Sequence, residues 1–259
     1  MVHRSNIFPF CSTIMLLSFF VGLYAMPVWS DEFNIEPLAK SWIWDNPVGD
    51  SAYSLTDKPD WLSITVAKGE HNVWTQRGLA PMLVFKTSET HYSIDTHLLT
   101  SGPFAKATTG LIVIDKSGLG NPSFAGEWGA LVLHSGGYVR WAQRKDGQPV
   151  ELFNFNNNVW PKNEACLKIV REGDKYELFY ESPNDKANRG WISVGTTTLG
   201  IRGEHIVGFV AMNLADAPAY TVHFDYVHTT PENLIGDEGL SVDPQSKLTT
   251  TWAKMKTQR

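Results

Sequence analysis

The stretch LKIVREGDKYELFYES, residues 167–182, holds two runs of mixed apolar and polar residues separated by Glu172, Gly173 and Asp174. Leu167 and Ile169 before the break, and Tyr176, Leu178 and Tyr180 after it, recur at every second position. A period of two puts such residues on one face of a strand, whereas a helix would scatter them. The break supplies a glycine able to take the positive φ of a tight turn, so the segment reads as a β-hairpin.

The same texture extends in both directions. WLSITVA (61–67), HYSIDTHLL (91–99), TGLIVIDK (109–116), WGALVLH (128–134), YVRWAQR (138–144), GWISVGTTTL (190–199), HIVGFVAMN (205–213) and AYTVHFDYVHT (219–229) are all β-rich, and turn residues fill the gaps. Gly136-Gly137 predicts a second hairpin, joining His134 to Tyr138. In HYSIDTHLL, Tyr92, Ile94, Thr96 and Leu98 alternate with His91, Ser93, Asp95 and His97, which gives one largely apolar face and one wet face. No segment before the tail has a helical period. Many short strands without intervening helices predict an all-β fold, an antiparallel sandwich or jelly roll. Trp42 and Trp44 in SWIWDNP (41–47) share a face of an entry segment and are expected to pack in the core rather than stack a sugar.

The first 30 residues contain Arg4, no acid and the apolar run TIMLLSFFVGLYAM. This reads as a cleaved signal peptide over residues 1–30, with Val28 and Ser30 at the positions a signal peptidase inspects; cleavage after Ala25 is the second choice. An uncleaved membrane anchor competes, since the run approaches the roughly 20 residues of a span. The chain is therefore expected to be secreted or periplasmic. It carries 22 Lys plus Arg against 27 Asp plus Glu, and losing the leader removes one base and no acid. No basic block remains, which argues against nucleic acid as a partner. Cys166 is the one cysteine outside the leader, so no internal disulfide closes the fold and the core must hold it. Residues 31–230 are expected to form one domain, with 231–259 as a C-terminal extension.

Taken in order, DEF (31–33), WIWDNP (42–47), WLSITV (61–66), VWTQRGLAPMLV (73–84), YSIDTHL (92–98), TGLIVIDK (109–116), LKIVREGDKYELFYES with GWISVG (190–195), and HFDYVH (223–228) resemble the concanavalin A-like domains of the DUF1349 and β-xylosidase C-terminal type. The resemblance implies a jelly-roll sandwich of two antiparallel sheets. It also implies a Ca²⁺ site, because in such relatives an acid of the opening motif meets an acid of the closing one; the matching positions are Asp31, Glu32 and Asp225. Calcium takes six to eight oxygens, so backbone carbonyls and water would have to complete the set.

Sugar sites combine an aromatic face with carboxylates, amides, His and Arg. If Leu131, Leu133, Val139 and Trp141 face the core, then Trp128, His134 and Arg140 face outward. Together with Asp95 and His97 they are expected to floor one carbohydrate-binding groove, Trp128 being its platform. Catalysis is less clearly written. The E-x-D-x-x-E strand of laminarinase-type sandwiches is absent, as are G-x-S-x-G and H-E-x-x-H, and Asp95, Asp115 and Glu127 stand as isolated acids. His97, His134, Tyr138 and Arg140 could imitate the Tyr, His and Arg group of jelly-roll lyases. A non-catalytic, lectin-like protein that binds carbohydrate or polysaccharide is the favoured reading; a glycoside hydrolase or lyase, or an interaction module without sugar affinity, are the alternatives.

Overall fold

A computed structural model of the chain describes residues 29–34, 37–74, 78–121, 123–148, 150–158, 161–184, 190–231 and 234. In chain order its strands are β1 (Trp29–Asp31), β2 (Ile43–Asp45), β3 (Ala52–Ser54), β4 (Leu62–Val66), β5 (Met82–Thr87), β6 (His91–Ser101), β7 (Ala107–Asp115), β8 (Trp128–His134), β9 (Tyr138–Arg144), β10 (Glu151–Asn158), β11 (Glu164–Glu172), β12 (Lys175–Glu181), β13 (Ile192–Thr198), β14 (His205–Asn213), β15 (Tyr220–Phe224) and β16 (Val227–Thr230). Nine form a larger sheet in the order β13-β12-β11-β6-β15-β4-β3, with β16 also on β6 and β1 on β16. The other seven form a smaller sheet, β10-β9-β8-β7-β14-β5-β2. Neighbouring strands are antiparallel throughout. Both hairpins read from the sequence are present, with Gly173 at φ 63° and Gly137 at φ 77° in their turns.

The two sheets face each other across the main core. Ile94, Leu98, Leu167, Ile169 and Leu178 of the larger sheet meet Leu111, Val113, Leu131, Leu133, Trp141 and Phe209 of the smaller. Gly129 makes room for Trp141, because a Cβ there would stand 2.2 Å from the indole Cζ2. Trp42 is buried in this core, with ring centroids 5.5 Å from Phe85 and 5.6 Å from Phe209. Trp44 packs against the same cluster and meets Tyr53 edge-on at 5.3 Å. The sequence assignment of both tryptophans to packing therefore holds. Arg171 is also buried, its guanidinium donating to the Gly173 carbonyl (2.8 Å) and the Ile201 carbonyl (2.6 Å) and lying against the rings of Tyr92 and Tyr176.

The outward faces of the sheets differ. Along β6 every second side chain is buried, as a sheet with one wet face requires. Along β7 eight of nine residues are buried, because the smaller sheet carries a second apolar cluster on its outward face. Met82, Val84, Ile112, Ile114, Trp128, Ala130, Val132 and Val210 form its floor, and Val73, Phe124, Leu119 and Trp74 from the connecting segments cover it.

Trp29 and Ser30, the last two residues of the expected leader, lie in β1 and pair with Thr229 and His228. The remainder of the expected leader, and the extension beyond residue 230 apart from Pro231 and Leu234, lie outside the described residues. Among the described residues no helix is long and apolar enough to cross a membrane.

Candidate carbohydrate cleft

A cleft of about 490 Å³ opens on the outward face of the smaller sheet. Its polar lining is Glu70, Asn72, Lys106, Thr108, His134, Arg140, Asn213 and Asp216; Trp74, Val150, Leu152, Met212 and Leu214 supply most of the rest. Strand register explains the floor. Thr108 of β7 lies opposite His134 on β8 and Met212 on β14, so the three form one row, and Arg140 on β9 stands opposite Val132 in the next. The wall is set by the segment after β4. His71 is buried and pairs its backbone with Asn213, while its ring nitrogens face Asp50 Oδ1 at 2.8 Å and Asn213 Oδ1 at 3.0 Å. Asn72 then turns the chain, its Oδ1 accepting from the Trp74 amide at 2.9 Å and its amide donating to Glu70 at 3.2 Å. This brings the Trp74 indole edge-on to Trp128 at 5.6 Å.

His134 Nδ1 accepts from the Gly136 amide at 3.0 Å, and its ring stacks on Tyr138 at 4.5 Å. Burial, helped by the neighbouring Arg140 charge, pushes its pKa down to about 4. The imidazole is thus neutral at pH 7, and with Nδ1 accepting, its proton sits on Nε2. Arg140 donates to the Tyr138 hydroxyl at 2.7 Å. Lys106 and Asp216 form an ion pair at the rim. Thr108 is only 6% exposed and its Oγ1 has no hydrogen-bond partner.

On the outward face of the larger sheet, polar side chains answer one another. The ring nitrogens of His97 face Glu164 Oε1 at 2.9 Å and Asp225 Oδ2 at 3.1 Å, and Asn184 donates to the other Glu164 oxygen at 2.9 Å. Trp61 lies edge-on to His97 at 5.2 Å, with Lys58 over its ring. One strand along, His228 stands 3.3 Å from Asp95 and 3.7 Å from Glu32. Hydrogen bonding to these two carboxylates holds the His228 pKa up at about 9. Asp31 accepts from the Phe33 amide at 2.9 Å and from the Trp42 indole N–H at 3.1 Å. Cys166 is half-buried on this face, and burial pushes its thiol pKa up to about 12.

Residues 30–229 match the family model of the β-xylosidase C-terminal concanavalin A-like domain. The chain belongs to that family. Among solved structures, this concanavalin A-like domain is similar to the GH43 BlXynB protein of Bacillus licheniformis, at 16% identity and a TM-score of 0.56 over 77% of this chain. It is similar to the xyloglucan GH43B protein of Bacteroides ovatus at 17% identity and a TM-score of 0.55 over 79% of the chain. A Bacillus licheniformis β-glucanase matches at 8% identity and a TM-score of 0.51, covering 80% of this chain and 99% of that one. The chain spans 38% of the length of BlXynB and 39% of the Bacteroides ovatus protein. At these identities the likeness shows the fold. No curated protein sequence matches significantly.

Within this concanavalin A-like domain the single groove expected from Asp95, His97, Trp128, His134 and Arg140 is not formed. Asp95 and His97 face outward from the larger sheet, whereas the other three face outward from the smaller one, so the main core and both sheets separate them. His134 and Arg140 do meet, in the cleft. Trp128 points to the same side but is 1% exposed beneath Phe124 and Trp74 and offers no stacking face. The aromatic of the cleft is Trp74, which the sequence presents only as part of a fold motif, and Thr108 lies one residue before the strand read from the sequence at 109–116, with no signal of its own. The acids expected around calcium go to different partners: Asp31 to Trp42, Glu32 to His228 and Asp225 to His97. Among the described residues no three His, Cys, Asp or Glu side chains are grouped to hold an ion.

Proposed function

We propose that the domain is an exported, non-catalytic carbohydrate-binding protein whose ligand lies in the cleft on the smaller sheet. The observation that carries this reading is the cleft itself, about 490 Å³, where the Trp74 indole stands with His134 and Arg140. That volume lies within the roughly 300–1,000 Å³ of small-molecule sites. An indole gives a sugar ring an apolar partner, while the His134 Nε2–H and the Arg140 guanidinium donate to its hydroxyls. The two acids of the lining, Glu70 and Asp216, already accept from Asn72 and Lys106. Glycoside hydrolysis asks instead for two carboxylates set across the sugar as acid and base or nucleophile. Export rests on the leader. Cleavage after Ala25 rather than Ser30 would keep the strand Trp29–Asp31 whole.

The named neighbours suggest xyloglucan and β-glucan oligosaccharides as first probes. Calorimetric titration of the full chain should show saturable binding to at least one glycan of a broad panel. Trp74→Ala and Arg140→Ala should each weaken it by about tenfold, the effect of a lost stacking or charged hydrogen-bond contact of some 1.4 kcal/mol. Silence across the panel sinks the reading, and release of sugar or unsaturated product replaces it with an enzyme.

A further inference from the structure

We propose that the cleft takes a glycan bearing an uncharged acyl ester, whose carbonyl oxygen accepts from the Thr108 hydroxyl and whose alkyl part covers Leu152 and Leu214. The proposal rests on the carbohydrate reading above and specifies its ligand.

Three observations carry it. The first is the orphaned hydroxyl. Thr108 Oγ1 sits on the outward side of β7, nine-tenths buried and without a partner, in a row with His134 and Met212. A buried hydroxyl left without a hydrogen bond is destabilising, and of the six buried side-chain polar atoms in that state among the described residues, Thr108 Oγ1 alone belongs to a residue lining the cleft. It lies beside Met212, an unbranched side chain that repacks easily when something enters.

The second is the apolar mouth. Leu152 is 49% exposed and Leu214 47%, and both line the cleft with Val150 and Met212. A bare sugar, which turns hydroxyls outward around its rim, would leave these methyl groups facing polar atoms; an acyl chain would remove them from water. The third is charge balance. Lys106 and Arg140 are matched in the lining by Glu70 and Asp216, so the site has no net charge to draw a uronate or a phosphorylated sugar. An ester combines what these features ask for: an acceptor oxygen for a lone hydroxyl, an apolar tail and no charge.

The test uses matched ligands. Xyloglucan and β-glucan oligosaccharides are chemically acetylated to a low degree, and half of each sample is then saponified back to the free glycan. Both halves are titrated into the full chain. The ester form should bind at least tenfold more tightly. Thr108→Val, which keeps the side-chain shape, should bring the ratio of the two affinities, measured within that variant, close to one, and Leu152→Ser should reduce it. Equal affinities for the two forms, or a gain that survives Thr108→Val, overturn the ester assignment and leave the carbohydrate reading standing. If neither form of any glycan binds, the carbohydrate reading falls and this one with it.

Discussion

The two outward faces of the sandwich solve the same problem in opposite ways. On the larger sheet, His97 and His228 each stand between two carboxylates, and Asn184 and Lys58 complete the surroundings. That face is polar and closed upon itself. On the smaller sheet the outward side chains form a second core, with a cleft where two leucines meet water and a threonine hydroxyl lacks a partner. The contrast teaches where to look for a ligand. Conspicuous histidines and acids mark groups whose needs the protein already meets, whereas the open site is marked by needs left unmet.

The sharpest way to break this contrast is Trp128→Ala. If the outward face of the smaller sheet is a real core, the substitution should cost about 3–5 kcal/mol and lower Tm by about 10 °C, read by calorimetry. A loss near that of an exposed residue would show that the face is a surface after all. On the larger sheet the corresponding probe is pH. The His228 pKa is held at about 9 when folded, above its ordinary 6.5. A raised folded pKa means the stabilisation is fully present below about pH 6.5 and is lost as pH climbs through about 9. The advantage of the native chain over His228→Gln should therefore shrink across that window in denaturant titrations. It should not exceed about 1 kcal/mol, since His228 is over a third open to water and screened. An advantage that grows with pH would contradict the pairing with Asp95 and Glu32. The smallest effect has the opposite sign: Thr108→Val, without ligand, should raise stability by up to about 1 kcal/mol by removing the orphaned hydroxyl. A lower Tm would mean that the hydroxyl has a partner.

Local pattern made the strands and both glycine turns legible, because φ preferences and a period of two are properties of neighbouring residues. It also told which side of its own strand each residue takes: Trp128, His134 and Arg140 do face away from Leu131, Leu133 and Trp141. What it could not tell was sheet membership. β6 pairs with β11, β15 and β16, and β8 with β7 and β9, and these long-range choices put Asp95 and His97 on the opposite side of the molecule from His134. The continuous apolar run of β7 held a further signal. LIVI is too uniform for a strand with one wet face and implies cover on both sides. That cover brings Trp74 into the cleft and removes Trp128 from it.

The pairing of β1 with β16 has a mechanical side. Trp29 lies opposite Thr229, Ser30 opposite His228 and Asp31 opposite Val227, so the chain enters the domain beside the point where it leaves. A pull on the two flanking segments does not load these rungs together. It strains the Trp29 rung first, then the next, in the manner of a zipper. Among the described residues β1 has no other strand beside it, so once its third rung opens it is free of the sheet. Tension from that corner is thus relieved by peeling one short strand, before any of it reaches the layers of Trp42 or Trp128.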